Sequence, residues 1–253
     1  MAGVDLRVPP RKTSRVVKCR TQQTQDGGAL FLTQPEVTRE GSILRLSTPS
    51  PPPDEDDLDQ DVGNVRKPDV DEIKKRLYQR ECTRLGVTPV GAFMREPTRS
   101  QLAIRHYSLG PRGAKALSVP LMLDSTLTSL DLEGNTIGAD GMAEMVEMLC
   151  ENCSITHLNL KRNKLCSRGA SLVMRVLKSN RHIVSLNLAA NQLVDIDGLT
   201  IADMLRETRT LKSLDLSDNA LSFRSGKALG DVLSQNESLE SLDLSWNQFR
   251  ESG

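Results

Sequence analysis

Five segments of this chain repeat one another at a constant spacing of 28 residues. They read LTSLDLEGNTIGADG, ITHLNLKRNKLCSRG, IVSLNLAANQLVDID, LKSLDLSDNALSFRS and LESLDLSWNQFRESG, and start at Leu127, Ile155, Ile183, Leu211 and Leu239. The pairs Leu130/Leu132, Leu158/Leu160, Leu186/Leu188, Leu214/Leu216 and Leu242/Leu244 keep register, as do Asn135, Asn163, Asn191, Asn219 and Asn247. A degenerate copy precedes them: Leu102, Ile104 and Leu109 fit, but Arg99 stands at the apolar start and Tyr107 replaces the asparagine. A unit this short cannot bury its own apolar surface, so neighbouring copies must stack.

Within each copy the period changes. Leu130 and Leu132 alternate with Ser129, Asp131 and Glu133, which predicts a short strand with one buried face. Met142, Met145, Val146 and Leu149 then fall at i, i+3, i+4 and i+7, the stripe of an amphipathic helix. Ala170, Val173, Met174 and Leu177 repeat that stripe, and Leu229 and Leu233 keep its core positions. The predicted fold class is α/β: a solenoid of strand–turn–helix–turn units. Parallel strands stack about 4.8 Å apart, while helices behind them need roughly 8–10 Å. The stack therefore bends, with a concave parallel sheet inside and convex helices outside. An amide side chain carries both donors and an acceptor, so the asparagine column is assigned to satisfying backbone groups where the chain leaves each strand. The last copy stops short of its helical half. The apolar underside near Leu242, Leu244 and Phe249 is expected to be exposed, because the chain is cut from a longer array or because another chain contacts that end.

Two zones precede the array. Residues 1–50 hold eight Lys/Arg against four Asp/Glu, and residues 51–70 hold seven acids against two bases. With few aromatics and the run STPSPPPDEDDLDQD, residues 1–69 are expected to form a disordered tail. A segment that folds on a partner through RVVKC or ALFLT is the other reading of that zone. Residues 70–98 are expected to form an N-terminal helical cap. Asp71 is the predicted cap of a helix with Ile73, Leu77, Tyr78 and Cys82 at helical spacing, ended by Gly86 and Pro89. The array itself occupies residues 99–253, with one degenerate, four full and one truncated repeat.

The pattern LxxLxLxxNxL, at this period and with a helical second half, resembles the ribonuclease-inhibitor class of leucine-rich repeats. The resemblance spans residues 99–253. More narrowly, Tyr78, Cys82, Leu85-Gly86-Val87, Pro89 and Phe93, followed by Leu109-Gly110-Pro111, Gly113 and Ala116-Leu117, look like the start of the leucine-rich repeat-containing protein 74 family. What the resemblance implies is an intracellular interaction protein with no assigned chemistry.

Nothing in the residues adds a reaction to that expectation. The three histidines, His106, His157 and His182, lie in no zinc-protease, phosphate-loop or dinucleotide motif. Cys150 and Cys153, with His157 and Cys166 nearby, look like a zinc set by composition. An intervening strand would hold Cys153 and Cys166 roughly 17–20 Å apart, however, so no metal or cofactor is expected. Lys+Arg and Asp+Glu balance at 33 each, which gives no pull toward nucleic acid or a membrane surface. No apolar run is long enough for a membrane span, and five scattered cysteines read as reduced thiols in a cytoplasmic protein. The sequons at Asn152 and Asn236 read as by-products of the repeat. The usable surface is the concave face. Its central column is Asp131, Asn159, Asn187, Asp215 and Asp243, flanked by His157, Lys161 and Arg162, with Trp246 as a rim anchor. This face is expected to bind a protein partner carrying a basic patch. Regulation of an enzyme, of the GTPase activator or inhibitor type, and a scaffold role in a cytoskeletal or ciliary assembly are the alternatives.

Overall fold

The computed structural model describes residues 69–97 and 99–249. Apart from Asp69, the expected tail and its RVVKC and ALFLT anchors lie outside the described residues. Six strands form one parallel sheet in chain order: β1 (Gln101–Ala103), β2 (Ser129–Asp131), β3 (His157–Asn159), β4 (Ser185–Asn187), β5 (Ser213–Asp215) and β6 (Ser241–Asp243). Each rung pairs with the residue 28 positions on, as in Leu130↔Leu158 and Leu158↔Leu186. The degenerate copy joins in full register, Leu102 opposite Leu130, because Leu102 and Ile104 keep the two inward positions.

Between strands run α3 (Gly110–Met122), α4 (Gly138–Glu151), α5 (Cys166–Ser179), α6 (Asp195–Glu207) and α7 (Phe223–Leu233), each packed on the next. The predicted stripes are the buried ones, including Met142, Met145, Val146 and Leu149 in α4 and Ala170, Val173, Met174 and Leu177 in α5. Together with the strand leucines they form one continuous core. This is the leucine-rich repeat solenoid that the period demanded.

The asparagines bind repeat to repeat. Asn163 donates to Leu132 O of the preceding unit and Leu160 O of its own, both at 2.9 Å. Its Oδ1 accepts from Asn135 N at 3.1 Å and Ile137 N at 3.3 Å. Asn191 repeats the pattern one unit on. A second column, at the helix ends, escaped the sequence reading. Asn152 donates to Leu121 O and Asp124 O, and Asn180 to Leu149 O and Asn152 O. Asn236 donates to Leu205 O. The Asn152 amide of the first sequon is therefore buried and fully bonded within the repeat stack.

Ahead of the sheet lie α1 (Val70–Leu85) and α2 (Gly91–Arg95), with α1 packed on α3. The helix starts two residues earlier than Asp71 suggested: Asp69 is the N-cap, and its carboxylate accepts from Asp71 N at 3.4 Å. Gly86 ends it with φ +64°, in the left-handed region, and Val87 N reaches back to Cys82 O at 2.9 Å. The buried face is also rotated from the apolar stripe. Tyr78 and Cys82 are buried, but Ile73 is 38% exposed and Lys74 is 1% exposed. The reason is an ion pair: Lys74 Nζ lies 2.9 Å from Asp124 Oδ2. Tyr78 meets Phe93 of α2 edge-to-face, with ring centroids 4.8 Å apart, and its hydroxyl accepts from Val90 N at 3.2 Å.

At the other end, the expected bare underside is partly covered. Leu242 is buried, and Leu244 and Phe249 are half-buried. The Phe249 ring folds under α7 so closely that a Cβ on Gly226 would come within 2.8 Å of it.

Candidate functional site: the concave sheet face

Each strand turns its first and third residues away from the leucine core, so the register converts sequence positions into columns across the sheet. The central column, Asp131, Asn159, Asn187, Asp215 and Asp243, performs a shared local task. In each unit Oδ1 of this residue accepts the amide two residues on: Glu133 N, Lys161 N, Ala189 N, Ser217 N and Ser245 N, at 2.9–3.1 Å. Asp and Asn suit this place because either supplies the acceptor that ends the strand.

The column's acids are consequently unequal. Asp131 is 9% exposed; its carboxylate is gripped by Arg105 at 2.6 Å and by Asn159 Nδ2 at 3.0 Å. The hydrogen bond to that carboxylate raises the Arg105 pKa above its already high value. Asp215 accepts from Asn187 Nδ2 at 2.7 Å and from the Ser217 hydroxyl at 2.6 Å. Asp243 is exposed, and its bond to Ser245 N leaves the other oxygen toward solvent.

Beside this column His157 is exposed, its Nδ1 2.8 Å from Thr156 Oγ1. Lys161 is half-buried and Arg162 exposed, and neither forms an ion pair among the described residues. Arg162 and Trp246 occupy equivalent left-handed turn positions, at φ +55° and +56°, and Trp246 is 80% exposed. The structure thus brings the predicted residues onto one face but divides them into bonded (Asp131, Asn159, Asn187, Asp215) and open (His157, Lys161, Arg162, Asp243, Trp246). Two charged residues of this face were missed, Arg105 and Asp218. The period itself could have found them, since Arg105 precedes Lys161 by two units and Asp218 lies midway between Ala190 and Trp246.

The cysteines do not converge with His157. Among the described residues no three His, Cys, Asp or Glu side chains form a metal-sized group, and Cys82, Cys150, Cys153 and Cys166 are free thiols. Hollows lie off the sheet among the described residues. One of about 430 Å³ separates the α1–α2 loop from Tyr107 and Leu109, and one of about 540 Å³ lies between α7 and Phe249. No described helix is long and apolar enough to cross a membrane.

The family described as Leucine Rich repeat matches residues 124–146, 151–174, 208–230 and 235–253. The described sheet and its helices are built of leucine-rich repeats. These matches fall on four of the units that build the sheet. The repeat protein is similar to human leucine-rich repeat-containing protein 74B, 39% identical over 49 residues, which are 19% of this chain and 12% of that protein. The match therefore spans 12% of the relative's length. Among solved structures it is similar to leiomodin-1 actin-binding site 2, at 16% identity and a TM-score of 0.48, covering 67% of this chain and 90% of that one. It is also similar to the tropomodulin C-terminal domain of Caenorhabditis elegans, at 12% identity and a TM-score of 0.40, covering 70% and 84%.

Proposed function

We propose that this leucine-rich repeat protein is a non-catalytic interaction module that holds a protein partner on its concave face. The observation that carries the reading is the sorting of side chains on that face. Asp131, Asn159, Asn187 and Asp215 are committed to neighbouring units, so they serve the scaffold. His157, Arg162, Asp243 and Trp246 stand exposed along the same surface, where a partner would meet them. A large exposed indole is the kind of anchor that interfaces enrich. The Asp131 and Asp215 carboxylates are held by hydrogen bonds within and between repeats, which suits a scaffold that presents other side chains to a partner.

The test uses a photo-crosslinking amino acid placed in the full chain at Ala190, in the middle of the concave face, or at Arg175, on the exposed side of α5. Partner adducts from Ala190 and none from Arg175 are expected. Adducts confined to Arg175 would overturn the assignment of the face. Replacing Asp131 or Asp215 is a poor test, because either change also removes hydrogen bonds that join repeats.

A further inference from the structure

We infer that the concave face is matched to a polypeptide segment of split charge, with carboxylates over β3 and a lysine or arginine over β5 and β6. The inference rests on the proposed use of that face and adds the partner's chemistry and spacing. It departs from an acid column that receives a uniformly basic patch.

The hydrogen bonds decide which charges are available. Arg105 offsets Asp131, leaving Glu133 as the one further acid in the concave-face columns of the first two units. The β3 unit presents His157, Lys161 and Arg162, with no ion pair on either cation among the described residues. The β4 unit presents Ser185 and Ala190, with Ala189 buried behind them, and carries no charge at the equivalent positions. The next two units present Asp218 and Asp243, with the bonded Asp215 half-buried, and no cation stands in the same columns. The surface therefore changes sign along the sheet, across one neutral rung.

Trp246 marks the acidic end. It occupies the turn position one unit after Asp218, so the two backbone positions lie about one strand spacing apart, roughly 4.8 Å. A lysine or arginine inserted there would meet a ring face and two carboxylates, Asp218 and Asp243, together. The same carboxylates would repel a continuous phosphate backbone, so the face suits a protein and not a nucleic acid. From β3 to β6 the span is three strand steps, about 14 Å, which an extended segment covers in about four residues. The partner's opposite charges should be separated accordingly.

Three fluorescent synthetic peptides of equal length test this on the full chain at low salt. One carries paired Glu and paired Lys separated by four Gly/Ser residues, one is Glu-rich, and one is Lys-rich. Fluorescence anisotropy should show the split-charge peptide binding about tenfold or more tightly than either uniform peptide. K161E/R162E should turn the preference to the Lys-rich peptide, and D218K/D243K to the Glu-rich one. All four positions are half-buried or exposed, and circular dichroism should show both variants folded. W246A should weaken the split-charge and Lys-rich peptides while leaving the Glu-rich one unchanged. Equal affinity for all three peptides, no binding up to about 1 mM, or an order unmoved by the charge reversals would overturn the inference. Ala190→Trp separates the two claims, because Trp246 shows that an indole fits this turn. If uniform peptides bind as well as the split one and Ala190→Trp blocks them, the face stands and its split charge fails. If peptides bind and Ala190→Trp changes nothing, the face itself is wrong.

Discussion

The buried pair of Lys74 and Asp124 shows how one residue type can close a repeating pattern. Position 124 begins the helix-end column that continues as Asn152 and Asn180. Asn152 donates to carbonyls of the preceding unit, and a carboxylate cannot donate. Asp124 instead accepts from Thr126 N and Leu127 N through Oδ1 and receives the Lys74 ammonium on Oδ2. Burial pushes the Asp124 carboxyl up, but Lys74 and the Thr126 and Leu127 amides outweigh it and hold it below the usual carboxylate range. Its folded pKa is thus depressed, so the pair's stability is present above the unfolded value of about 3.9 and is lost as pH falls through the folded value. Lys74→Met leaves that carboxylate buried without its partner and should cost about 3–5 kcal/mol at neutral pH by urea titration. Adding Asp124→Asn should recover most of the loss and flatten the acid limb of the stability profile. A single variant as stable as the parent would show that the pair contributes nothing.

At the scale of elements, helix spacing is set by glycines with different surroundings. Gly198 in α6 faces α7 so closely that an added Cβ would lie 2.3 Å from Ser225 Cβ, a non-terminal atom. Gly230 in α7 has nothing within 4 Å of that position and an ordinary helical φ. Gly230→Ala should therefore stabilise by about 0.5–1 kcal/mol, while Gly198→Ala should force α6 and α7 apart and destabilise. Thermal melts of the two variants should move in opposite directions. Asp195, the first residue of α6, joins the same pair of units. It accepts from Ser222 N and Ser225 Oγ at 2.7 Å and from the Ser222 hydroxyl. The Ser222 hydroxyl, with these other donors, draws its pKa down to about 2, against burial. These inter-unit contacts add to the few local caps, such as the Asp197 carboxylate of α6, which accepts from Val194 N at 2.8 Å. Asp69 of α1 is the one described helix-start residue whose own side chain accepts a capping bond.

Across the whole molecule the contacts are between neighbours, so stability depends on how the ends are covered. We propose residues 70–98 as the cover of the first repeat, since α1 packs on α3 and Lys74 enters the asparagine column of the array. A chain lacking residues 1–85 should expose the covered side of α3, melt at lower temperature and self-associate in size-exclusion chromatography. An unchanged monomer would refute the cap. Much of this architecture was legible beforehand, because a 28-residue period fixes which side chains must share an interior. Apolar spacing alone specified the strand, the helical stripe and the stacking of units, and the asparagine column followed from the backbone groups left at each strand exit. The sequence did not reveal that Lys74 would be buried in place of Ile73 or that Arg105 would neutralise Asp131. Periodicity determines which face of an element turns inward, since that depends on neighbours along one chain segment. Which charge meets which carboxylate depends on register between units and on the angle at which α1 docks, and only the tertiary structure decides these.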